Sequence, residues 1–128
     1  MRNIFSKKLL PLTGAPLVRR YKSYSAQSGY VYQYVWEGQR PVGGGTEYVF
    51  AASADRKTTL PVSVIVEDAE LKSWEESRSR TLSPTERYAI AKLALFQAFD
   101  ERETPALLQQ PVYVRADDVA AIIEQLGL

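Results

Sequence analysis

Thr46-Glu47-Tyr48-Val49-Phe50-Ala51-Ala52-Ser53-Ala54-Asp55-Arg56-Lys57-Thr58-Thr59-Leu60-Pro61-Val62-Ser63-Val64-Ile65-Val66-Glu67 decides the fold. Residues 46–53 and 60–67 are rich in aromatic and β-branched side chains, and a short polar stretch separates them. They predict two strands paired as an antiparallel hairpin. Alternation puts Leu60, Val62, Val64 and Val66 on one face of the second strand. With residues 54–57 as a four-residue turn, Val49 and Ala51 join that face. Tyr48, Phe50 and Ile65 then point the other way.

Upstream, Gly-Tyr-Val-Tyr-Gln-Tyr-Val-Trp-Glu at residues 29–37 predicts a further strand. Its alternation places Tyr30, Tyr32, Tyr34 and Trp36 on one face. Residues 38–45, with Pro41 and three successive glycines, read as a loop. Downstream, residues 68–79 predict a short helix with Leu71 and Trp74 on its inner side. Ser83-Pro84-Thr85-Glu86 has the form of a capping box with proline at the first helical position. The helix it opens runs to about Glu103 and stops before Pro105. Tyr88, Ala91, Leu95 and Phe99 form one apolar stripe on it, and Ala89, Leu93 and Phe96 form another, which marks it as the central helix. Residues 112–115 predict a short strand. Asp117 then caps a last helix with Val119, Ile122, Ile123 and Leu126 at core spacing.

The order β-β-β-α-α-β-α predicts an α+β fold. We expect a three- to four-stranded, mainly antiparallel sheet with helices on one face. Residues 28–128 form a single domain, and residues 1–27, which show no sustained period, form a basic N-terminal arm. The sheet is apolar on both faces, so either the arm or a partner covers the second one.

The charge is divided along the chain. Residues 1–36 carry Arg2, Lys7, Lys8, Arg19, Arg20 and Lys22 and no acid, whereas the remainder carries 10 basic and 15 acidic residues. A +6 arm thus precedes a −5 body. A basic extension of this kind meets something negative: an acidic patch on a protein partner, nucleic acid or a membrane surface. No apolar run approaches the ~20 residues of a membrane span. The expected location is cytoplasmic, with the mitochondrial matrix as the alternative in a eukaryotic source, because an Arg-rich, Ser-containing, acid-free start resembles a transit peptide.

The chain has no cysteine and no histidine. This excludes Ser-His-Asp and Cys-His catalysis within it, together with the usual zinc sites. No cofactor motif is present, and no cofactor or metal is expected. Gly43-Gly44-Gly45 lacks the spacing and the lysine of a P-loop, and it enters a strand rather than a helix.

The candidate partner-binding residues are Arg19, Arg20, Lys22, Tyr32, Tyr34 and Trp36. Basic residues beside a row of rings can stack and neutralise single-stranded nucleic acid. The simpler reading is that the rings are core. Asp100, Glu101 and Glu103 oppose the dipole of their own helix end, which makes them a candidate contact surface. Asp117 and Asp118 sit where capping acids belong. Arg78, Arg80 and Trp74 read as an inter-helix loop beside a core plug, with anion binding and a partner anchor as their functional alternatives. The function expected first is a non-enzymatic interaction protein or accessory subunit with an acidic protein partner. Nucleic-acid binding through the arm and the tyrosine strand comes second, against the −5 charge of the body. An enzyme using carboxylate, Tyr or Lys chemistry comes third.

Overall fold

The structure is a computed structural model that describes residues 10–128. Five strands form one sheet in sequence order: β1 (Lys22–Ser25), β2 (Val31–Val42), β3 (Gly45–Ser53), β4 (Leu60–Glu67) and β5 (Val112–Val114). The first four pair antiparallel, and β5 pairs parallel to β4. Helices α1 (Asp68–Arg78) and α2 (Pro84–Glu101) make the crossover between β4 and β5, and α3 (Ala116–Leu126) closes the domain. The α+β class and the helical layer follow the sequence expectation. The strand count does not. The additional strand, β1, lies within the stretch read as an arm, and its Lys-Ser-Tyr-Ser is too short and polar to announce itself. Residues 1–9 of that arm lie outside the described residues.

The core lies between the sheet and α2. Tyr32, Tyr34, Tyr48, Phe50, Val62, Val64 and Val66 meet Ile90, Ala91, Ala94, Leu95, Ala98 and Phe99 there. Tyr48 and Phe50 are therefore core residues facing α2, opposite to the expectation. Tyr48 pairs with Val64, and Phe50 with Val62. The expected four-residue turn aligned the strands one residue out of register, and such a slip moves a whole strand to the other face. Val49 and Ala51 lie on the second face with Val35. They are buried but stand outside the core cluster.

Side chains set the true register through the β3–β4 connection. Asp55 Oδ1 accepts from the backbone N–H groups of Lys57 (2.8 Å) and Thr58 (2.7 Å). Ser53 Oγ accepts from the N–H of Arg56, which sits at φ 63. This Asx-type geometry fixes a longer loop than the simple turn assumed. The two backbone hydrogen bonds hold the Asp55 carboxyl down to about 2, from an ordinary 3.8. A group whose pKa is lower when folded stabilises fully above its unfolded pKa and loses that contribution as pH falls through the folded one. We expect Asp55→Asn to flatten the decline in melting temperature between pH 4 and pH 2. A wild-type-like acid limb in the variant contradicts this.

Residues 38–45 are not a loop. β2 continues to Val42, a two-residue Gly43-Gly44 turn follows, and Val42 pairs with Gly45. Gly43 at φ 50 supplies the left-handed conformation that such hairpins require. At the head of α2 the capping box forms as expected. Ser83 Oγ accepts from Glu86 N (3.1 Å), and Glu86 Oε1 accepts from Ser83 N (2.9 Å). Ser83→Ala should lower the unfolding free energy by about 0.5–2 kcal/mol, measured by denaturant titration.

Candidate functional site

Segment 10–25 runs along the outer edge of β2. Thr13 bridges Gln39, with backbone bonds of 2.9 and 2.8 Å, and Lys22 pairs with Tyr34. Residues 14–21 must therefore span a stretch of β2 that is only 35–38, half as long. They arch outward. Gly38 lets the arch dock: at φ +131, a Cβ there would lie 2.9 Å from Leu12 Cβ and from the Thr13 carbonyl. Arg40 adds a bond from Nη1 to the Leu10 carbonyl (3.0 Å).

A cleft of about 400 Å³ lies beneath this arch. Its lining includes Pro16, Val18, Arg20, Lys22, Trp36 and Tyr88. Tyr34 closes its wall, and Trp36 and Tyr88 pack with ring centroids 4.5 Å apart. Burial raises the Tyr34 and Tyr88 phenols above their ordinary range, so both remain neutral hydroxyls in this wall. The arch itself presents Leu17, Val18 and Tyr21 to solvent.

The cations of the cleft are unequal. Arg19 is paired with Glu37 at 2.6 Å. Arg20, Lys22 and Lys92 make no ion pair among the described residues. Lys92 does not line the cleft but approaches its Tyr34 wall from α2, its Nζ 5.9 Å from the Tyr34 ring centroid and 5.8 Å from that of Phe96. Lys22 stands beside it. Burial lowers the Lys92 amine below the ordinary lysine range, and the charge of Lys22 acts in the same direction.

Of the six residues singled out in the sequence, the structure brings Arg19, Arg20, Lys22, Tyr34 and Trp36 to this cleft. Tyr32 lies elsewhere. Its ring is 1% exposed and stacks on Phe99 at 4.1 Å. Tyr34 is 5% exposed, so the tyrosine row is core and cleft wall rather than an open stacking face. Lys92, Tyr88 and the arch escaped the sequence reading. Lys92 carried a signal, since it is the one charged side chain between Arg87 and Asp100 on an otherwise apolar helix.

Two of the acidic candidates, Asp100 and Asp118, have structural duties. Asp100 accepts from the Tyr24 hydroxyl (2.8 Å) and from Gln27 N (2.9 Å), which fastens β1 to the end of α2. Burial, then the Asp100 bond and charge, push the Tyr24 phenol up to about 12. These contacts account for an acid at an unfavourable helix end. The last helix starts at Ala116, so Arg115 rather than Asp117 is its N-cap. Asp118 accepts from Arg115 N, and Glu70 of α1 accepts from Ala116 N. Arg78 and Arg80 lie over the ring of half-buried Trp74, and Arg80 also pairs with Glu86.

Among the described residues no group of three or more Asp or Glu side chains is placed to hold a metal ion. No helix among them is long and apolar enough to cross a membrane. No protein-family model, curated protein or solved structure matches the chain.

Proposed function

We propose that this chain is a non-catalytic interaction protein, an accessory subunit that receives an acidic segment of a protein partner at the arch and its cleft. The observation that carries this reading is the placing of Arg20 and Lys22 in the lining of an aromatic cleft, with Lys92 beside its Tyr34 wall and none of the three in an ion pair among the described residues. Uncompensated charge beside apolar surface is recognition surface: complementary charge steers a partner, and buried aromatic area holds it. The exposed Leu17 and Val18 beside Arg19 and Arg20 extend that surface outward.

Charge reversal tests the reading better than truncation, because removing residues 10–20 also removes the Thr13–Gln39 bridge. The variant Arg20→Glu/Lys22→Glu should fold normally. It should fail to retain acidic proteins that the wild type captures from a native extract at low salt. The same proteins should leave the wild type at about 0.5 M salt, where screening is strong. An unchanged captured set overturns the reading. Loss of the captured material on nuclease treatment instead transfers the site to nucleic acid.

A further inference from the structure

From the convergence of Lys22 and Lys92 on the aromatic wall of the cleft, we infer that the site takes a phosphomonoester dianion carried on a planar apolar group. This rests on the proposed role of the cleft as a site for acidic ligands and names the chemistry of its anchor.

Lys22 comes from β1 and Lys92 from α2, and both meet at Tyr34, which is the register partner of Lys22. Residues 88–99 of α2 contain no acid, and neither do the residues before Glu37. The one acid beside the arch, Glu37, is engaged by Arg19. Two ammonium groups held together repel, and the rings of Tyr34 and Phe96 give partial relief to Lys92.

A single carboxylate between them neutralises one charge and leaves the other. A phosphomonoester brings a charge of about −1.5 to −2 and three acceptor oxygens, enough for both amines and for Arg20 in the lining. The cleft is about 400 Å³, which is more than a phosphate needs. Apart from Arg19, which Glu37 neutralises, its remaining side chains are Pro16, Val18, Val35, Trp36 and Tyr88, so the body carrying the phosphate is apolar and flat.

The test is a titration with phenyl phosphate followed by tryptophan emission, in a Trp74→Phe background that leaves Trp36 as the sole reporter. Phenyl phosphate should bind, benzoate and inorganic phosphate should each bind about tenfold or more weakly, and Lys92→Met or Lys22→Met should weaken binding about tenfold. Lys92→Met replaces a half-buried amine with an apolar chain of similar length, and circular dichroism establishes that it folds. A phosphotyrosine peptide that binds more tightly than phenyl phosphate assigns the ligand to a side chain of a partner. Equal affinity assigns it to a small molecule. Benzoate or inorganic phosphate equal to phenyl phosphate overturns the inference, as does binding that survives both lysine substitutions. If the charge-reversed variant loses its acidic partner while phenyl phosphate fails to bind wild type, the interaction reading stands and this inference alone falls.

Discussion

Phe99→Ala should lower the unfolding free energy by about 3–5 kcal/mol, measured by urea titration with the slope unchanged. Phe99 is fully buried. Its ring stacks on Tyr32 at 4.1 Å and lies 5.9 and 6.2 Å from the rings of Tyr24 and Tyr34. It therefore joins α2 to both β1 and β2, and truncation opens a void bounded by three large rings that cannot all move in. Leu95→Ala, one turn earlier and equally buried, should cost about 2–5 kcal/mol. The second value should fall below the first, because Leu95 leaves a smaller void. A loss within experimental error for Phe99→Ala would show that the helix presents a different face to the sheet.

The orientation of α2 was legible in the sequence because its signals agree. Ser83, Pro84 and Glu86 set its start, and the stripe through Ala91, Leu95 and Phe99 set its inner face. The β3–β4 register was not legible, although both strands were. The run Tyr48–Ala52 of β3 is apolar at every position, so alternation does not choose between two registers one residue apart. The choice falls to Asp55 and Ser53, whose side-chain bonds to the loop backbone are visible only in three dimensions. The extension of β2 to Val42 was hidden by glycine and proline, which read as loop formers. Here they serve as a bulge at Trp36/Gly38, an edge position at Pro41 and a hairpin turn.

Legibility of the site followed the same division. Charge asymmetry pointed to Arg19, Arg20 and Lys22, and ring content pointed to Tyr34 and Trp36. Composition does not reveal that an eight-residue arch spans half its own length of β2. Nor does it reveal that α2 contributes Lys92 from seventy residues away. Acidic clusters misled for a related reason. Asp100 looks unfavourable at the end of its own helix, and only the fold supplies the Tyr24 hydroxyl and the Gln27 amide that it binds.

The tyrosine strand yields the sharpest separation between a structural and a ligand-facing role. Replacing Tyr32 and Tyr34 together with serine should leave too little core for a stable domain. Each change deletes a ring that is at most 5% exposed, at about 3–5 kcal/mol, against a total stability of about 5–15 kcal/mol for a domain. Tyr32→Phe should behave in the opposite way. The Tyr32 hydroxyl is buried without a hydrogen-bond partner among the described residues, so its removal relieves a desolvated group while the ring keeps its stack on Phe99. We expect the serine double variant to lose its cooperative thermal transition and Tyr32→Phe to melt at or above the wild-type temperature. The contrast matters because a stacking face for single-stranded nucleic acid responds differently. There the serine variant would melt normally and lose about 1–3 kcal/mol of affinity per stacked base. A folded double variant with that binding loss would move the nucleic-acid reading ahead of the protein-partner one.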